Sequence, residues 1–174
     1  MRNLLLILIL ACAIFPASAQ SLSGRRAPSF SLPDSSLTQH DILDYRGHWL
    51  LLDFMRTDCP HCVALSKVLE SVQKQFGTKV AVLGIVTSPP ETTATVAKYQ
   101  ATNKVTTPIV FDLSQTAMAY FKATPTTAGF DTPHLFVIDP KGQIVRDWSD
   151  TDQTKEILEG AGLAKELQAL MSAK

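Results

Sequence analysis

The stretch from His48 to Val86 constrains this chain more than any other. It opens on "HWLLLDFM" (48–55), an apolar run broken only by Asp53, and closes on a second run, "KVAVLGIV" (79–86). Short continuous runs of this kind read as strands covered on both faces. Between them Leu65, Val68, Leu69, Val72 and Phe76 recur at helical spacing until Gly77 ends the pattern. Strand, helix and strand in that order predict a parallel pair joined by a right-handed crossover, and so an α/β domain.

The rest of the chain extends that domain without a linker or repeat. "SPPETTATVAKYQATNK" reads as a loop followed by a helix from about Glu91 to Asn103, "TPIVFD" as a short strand, and "SQTAMAYFK" as a short helix opened by Ser114. Two β-rich runs flank "DPKG" in "HLFVIDPKGQIVRDW", which predicts an antiparallel hairpin. Residues 152–173 are helical with a break at Gly160 and Gly162, and Leu163, Leu167, Leu170 and Met171 form an apolar face. At 174 residues, 45% of them apolar, one core suffices for one domain. A formal net charge of zero and the lack of a long Lys/Arg run exclude an electrostatic track for nucleic acid.

The leader assigns a compartment. "MRNLLLILILACAIFPASAQ" has an early Arg, an apolar stretch from Leu4 to Phe15, then Pro16 and the small-residue sequence Ala17, Ser18, Ala19. That is the pattern of a secretory signal peptide, residues 1–19, cut after Ala19 and leading to a bacterial periplasm. The competing reading takes "ILAC" as a lipobox, with Cys12 lipidated and the chain tethered to a membrane. Residues 20–26 are polar and basic, a flexible lead-in, and 27–174 form the single domain.

Removing the leader leaves two cysteines, Cys59 and Cys62, in "DFMRTDCPHCVAL". The loop they could close is too small to stabilise much by entropy, so their purpose is chemical. A redox pair, half of a metal site, and a peroxidase nucleophile with its resolving partner are the three uses to separate. A helix N-terminus stabilises a thiolate, and Pro60 suits a first helical position. Cys59 at that join is the expected nucleophile; Cys62, one turn inside and more shielded, is the resolving thiol. His61 between them can favour the thiolate as imidazolium, or can be an exposed histidine without a redox role. Asp58 would oppose it if turned toward the sulfur. Asp53, six residues before Cys59 in a buried strand, is placed to lie beneath Cys62 and accept its proton; the alternative is a strand-end Asp reaching solvent or bonding a backbone amide.

"WLLLDFMRTDCPHC" resembles the thioredoxin signature. The flanks narrow this: "APSFSLPD…LTQHDILDYRGHWLLLDF" is similar to the opening of the TlpA/ResA branch of exported thioredoxin-like proteins, related to the AhpC/TSA peroxiredoxins. "TPIVFDLSQTAMAYFKA" resembles the central insertion of that branch, and "DTPHLFVIDPKGQIV" its cis-proline strand and hairpin. The resemblance implies a thioredoxin-like three-layer fold, a central mixed β-sheet flanked by helices. It also implies that Pro133, rather than Pro125 of "TPTT", is cis and faces the disulfide, with Thr132 offering backbone groups to a substrate strand. The implied activity is exchange with protein cysteines through a mixed disulfide. No cofactor or metal is needed; the partners are cysteine-containing proteins and a redox partner, with membrane contact only through lipidated Cys12 or a membrane-bound partner, and a monomer is expected.

Two departures bear on direction and partners. Asp58 stands where the branch usually has Trp, and Met55 where an aromatic is usual, which thins the apolar cover over the disulfide. "CPHC" itself resembles the dipeptide of DsbA, an oxidant, whereas the TlpA-like frame belongs more often to reductants. Two other functions use related frames. A peroxidase of peroxiredoxin type needs a Thr three residues before its cysteine, and Thr57 is only two before Cys59. A Sco-like copper chaperone would use the cysteines with His61 or His134, although its cysteines are spaced by three. Met118, Tyr120 and Phe121 read as core, His40 and His48 as surface, and Trp49 and Trp148 as packing residues.

Overall fold

The computed structural model describes residues 21–173 except 125, 127 and 128. The stretch read as a signal peptide, the alternative lipid anchor at Cys12, and Pro125 therefore lie outside the described residues. The predicted pair is β4 (Trp49–Phe54) and β5 (Val80–Thr87), parallel, with Asp53 opposite Gly84. Helix α1 (Pro60–Phe76) joins them and ends at Gly77, whose φ of 58° belongs to the left-handed region. β6 (Ile109–Asp112) adds a third parallel strand beside β5 after α2 (Thr93–Asn103). On the other side β7 (His134–Ile138) runs antiparallel to β4, and β8 (Gln143–Ser149) antiparallel to β7.

The lead-in departs from expectation. Arg25–Arg26 form an edge strand, β1, antiparallel to β8 opposite Ile144 and Gln143, which completes the sheet order β1-β8-β7-β4-β5-β6. A strand edge needs only backbone partners, so polar residues suffice there. The Arg25 guanidinium also donates to the carbonyls of Leu22 and Tyr120. A two-stranded ribbon, β2 (Ser31–Pro33) with β3 (Gln39–Asp41), carried no clear alternation and was not foreseen. His40, expected at the surface, is half-buried there, its ring nitrogens 3.0 Å from Tyr45 Oη and 3.2 Å from Asp34 Oδ2.

Period-two alternation divides the core. Leu50, Leu52 and Phe54 face one layer with Leu83, Ile85, Phe136 and Tyr120, the last from α3 (Gln115–Phe121). Trp49 and Leu51 face the other with Leu65, Leu69 and Val72 of α1 and Leu163 and Leu167 of α5 (Gly162–Ser172). A short α4 (Lys155–Leu158) precedes α5, so the break falls at the two glycines. The stretch read as a central insertion forms β6 and α3, but Ser114 does not cap α3 through its side chain. Asp112 does, accepting from the amides of Thr116 at 3.1 Å and Ala117 at 2.9 Å. Met118 is 41% exposed rather than core, because α3 buries only the face bearing Tyr120 and Ala117.

A smaller cluster sits where α1 starts. Met55, just past the C-terminal end of β4, packs with Cys62, Val86, Val96, Tyr99, Val105 and Ile109, so it fills core beside Cys62. Ligand sites of open α/β sheets occur at this end.

Candidate active site

Cys59 is the N-cap of α1, with extended backbone (φ −97°, ψ 117°), and its sulfur accepts the Cys62 amide at 3.2 Å. A sulfur at that position faces the positive end of the helix dipole and takes up an otherwise unpaired N–H. Its own thiol points at the Thr132 carbonyl, 3.7 Å away. The Thr132–Pro133 peptide is cis and Pro133 is buried, with β7 starting directly after it. The chain thus folds residues 73 apart in sequence against one sulfur.

Cys62 lies one turn in, with no exposed surface, and both cysteines are free thiols. Burial, and then the nearby Asp53, hold the Cys62 thiol far above its ordinary range. Asp53 is 1% exposed, so it does not reach solvent, and its Oδ1 has no hydrogen-bond partner among the described residues. Desolvation raises its carboxyl to about 8. The two buried acids therefore share an apolar environment that disfavours either charge.

His61 is exposed and turned toward the C-terminal part of the chain. Its Nδ1 is 2.6 Å from Glu159 Oε1 and 3.3 Å from Asp150 Oδ2. Glu159 first, then Asp150, raise its pKa. Asp58 pairs with Arg56 through two contacts of 2.9 and 2.8 Å, which lowers the Asp58 pKa and occupies both charges. The two charged residues that flank Cys59 in sequence thus each have a counter-ion.

Glu91 was not singled out in the sequence. It is 5% exposed, and its carboxylate accepts from Thr57 N at 2.7 Å, Thr57 Oγ1 at 2.8 Å and Thr95 Oγ1 at 2.6 Å. A buried carboxylate is tolerated only with such donors, and here it ties the loop before Cys59 to the start of α2. The available signal was a lone acid amid uncharged residues in "SPPETTATVA". Beside it a groove of about 550 Å³ opens between Met55, Asp58, Glu91, Phe130 and Thr132, mostly apolar in lining and next to Cys59.

The residues that the alternative chemistries would call on are engaged elsewhere. Thr57 Oγ1 donates to Glu91 instead of facing the cysteine sulfur as a peroxidatic Thr would. His134 Nε2 pairs with Asp147 Oδ2 at 3.1 Å, and its ring packs on Phe121 and Phe136, so it is a satisfied strand histidine. The one group of potential metal ligands among the described residues, His61 with Asp150 and Glu159, includes neither cysteine.

Fold and site together define a thioredoxin-fold thiol-disulfide oxidoreductase with one Cys-x-x-Cys pair. The chain belongs to the AhpC/TSA family, which it matches over residues 23–147. It is 29% identical over 138 residues to the thioredoxin-like protein YneN of Bacillus subtilis, covering 78% of this chain and 76% of that one. It is 28% identical over 167 residues to the thiol-disulfide oxidoreductase ResA of Geobacillus thermodenitrificans, covering 90% and 89%. In fold it is similar to the thioredoxin domain of a thiol-disulfide oxidoreductase from Bacteroides vulgatus, with a TM-score of 0.66 at 20% identity over 85% of this chain and 96% of that one.

Proposed function

We propose that the protein is an exported reductant of protein disulfides, working in the periplasm through Cys59 and Cys62. The observation that carries the reading is the Cys59 sulfur at the helix N-terminus, beside the Thr132 carbonyl and above a fully buried Cys62. Cys59 attacks a substrate disulfide as thiolate, forming a mixed disulfide and releasing one substrate thiol. The substrate strand lies along Thr132 and Pro133, pairing with backbone groups and placing a neighbouring side chain in the apolar groove. Cys62, its proton taken by Asp53, then attacks Cys59 and expels the second substrate thiol. No cofactor enters, and a second protein restores the dithiol. The leader supports export with cleavage after Ala19; a lipid anchor at Cys12 would place the same domain at the membrane surface.

The direction follows from charge. A pair becomes oxidising when its thiolate is stabilised. Here the imidazole of the Cys-Pro-His-Cys motif is held by two carboxylates, Arg56 is neutralised by Asp58, and Cys62 is kept protonated by burial. Equilibration with glutathione is expected to give a potential near that of thioredoxin, roughly −270 mV, and a value near the roughly −120 mV of DsbA would refute the reductant reading.

The carboxylates give a second test. In an Asp150→Asn, Glu159→Gln double variant at about pH 6, His61 keeps its proton but loses both counter-charges. The cation then favours the Cys59 thiolate, and the glutathione equilibrium is expected to move roughly threefold to tenfold toward the reduced protein. An unmoved equilibrium would show that His61 does not act on the sulfur.

A further inference from the structure

Beside Asp53 a small buried cavity of about 10 Å³ is bordered by Asp53, Ser66, Gly84 and Thr107 among apolar residues, one of which, Met55, also lines the groove. That is about the space of one water. Gly84 stands opposite Asp53 in the strand pair and borders the cavity without a side chain.

The hydroxyl protons around this cavity are already committed. Tyr99 gives its single hydroxyl proton to the Cys62 carbonyl at 3.2 Å, so in the 2.6 Å contact between Ser66 and Tyr99 it is Ser66 Oγ that donates. Thr107 Oγ1 donates to Glu70 Oε1 at 3.1 Å. Both hydroxyls therefore present only lone pairs to a third group. Asp53, which has an unpartnered Oδ1, completes the polar lining. A site rimmed by acceptors suits a small molecule with two protons to give.

We propose that this cavity holds one water molecule, which joins Asp53 through Thr107 to the Glu70 carboxylate and provides the path by which Asp53 returns to solvent the proton it takes from Cys62. Glu70 is half-buried and is held in place by the amides of Thr106 at 2.6 Å and Thr107 at 2.9 Å. The path leaves through the face of α1, so it stays open while a substrate covers Cys59. This deepens the proposed function and rests on Asp53 as proton acceptor.

The step balances without a further reagent. Asp53, ionised once its own proton has left by the path, takes the S–H proton of Cys62, whose sulfur bonds to Cys59 while the substrate sulfur leaves with the electron pair of the mixed disulfide. Asp53 passes a proton to the water, the water passes one of its own to Thr107 Oγ1, and Thr107 passes its hydroxyl proton to Glu70. The titratable groups facing Asp53 are Cys62 from α1 and Tyr99 from α2, with Cys59 beyond Cys62, and Glu70 lies one hydroxyl further out. Ser66, Thr107 and Glu70 act through Asp53 and are positioning residues.

The test is a stopped-flow reaction of the reduced full-length mature protein with the aromatic disulfide DTNB. The first chromophore release reports attack by Cys59, the second resolution by Cys62. Thr107→Val is expected to slow the second phase about tenfold near pH 6, within the range of proton-transfer contributions, and to leave the first phase unchanged. The gap should narrow as pH rises, and Thr107→Ser should restore the rate by restoring the hydroxyl. Glu70→Gln should slow the same phase with the same pH dependence, which keeps the test available if the valine variant misfolds. A second phase equal to wild type in Thr107→Val and Glu70→Gln, alongside a slowed Asp53→Asn, would overturn the water path and leave the function standing. A second phase unchanged in Asp53→Asn would remove the role of Asp53 itself, and the path with it.

Discussion

Cys59→Ser is expected to lose disulfide exchange altogether, with insulin reduction falling at least roughly a thousandfold, because an alkoxide is not available at neutral pH to replace the thiolate. Cys62→Ser should behave differently. Its Cys59 still sits at the helix N-terminus with an amide on its sulfur and still attacks. What it loses is the intramolecular thiol that ends the mixed disulfide. A thiol held one turn away acts at an effective concentration far above that of any free thiol, so the trapped complex should live roughly a thousandfold longer or more. Non-reducing electrophoresis and mass spectrometry of cells expressing each variant check both outcomes together. Covalent complexes through Cys59 should accumulate only in Cys62→Ser, and their bound proteins identify the substrates. Activity retained in Cys59→Ser, or complexes formed equally by the two variants, would reverse the assignment of roles.

How much of this was legible in the sequence follows the range of the interactions involved. The strand-helix-strand unit could be read because its signals are local: apolar continuity, helical period, and a glycine at the end of α1. The position of Cys59 at the helix start was legible for the same reason, since Pro60 marks it. The environment of His61 was not. Its partner Glu159 lies 98 residues away and meets it only after β8 and α4 have packed beside α1. The motif alone resembles that of an oxidant, whereas the folded chain places two carboxylates on its imidazole. Glu91 was missed on similar grounds, because its donors Thr57 and Thr95 come from different elements. The edge strand at Arg25 was missed because backbone pairing leaves no mark on side-chain type.

Asp53 is the buried group whose cost to the fold is most directly measurable. Its carboxyl titrates at about 8 in the folded chain, through desolvation, against about 3.9 in an unfolded one. The folded state therefore binds this proton more tightly. Its stabilising effect is complete below about pH 4 and is lost progressively as pH rises through about 8. Asp53→Asn has nearly the same shape and cannot ionise, and its amide brings donors to a cavity bordered by acceptors. Relative to wild type the variant is expected to gain roughly 1.4 kcal/mol per pH unit between about pH 4 and pH 8, about 4 to 6 kcal/mol in all, and nothing further beyond. Urea unfolding of both reduced proteins across that range measures the slope. A difference independent of pH would mean that the carboxyl is solvated in the folded chain, and so unable to serve as a buried proton acceptor for Cys62. A protein that keeps an ionisable group at such a cost in stability, where asparagine would fit, is retaining the proton chemistry that asparagine lacks.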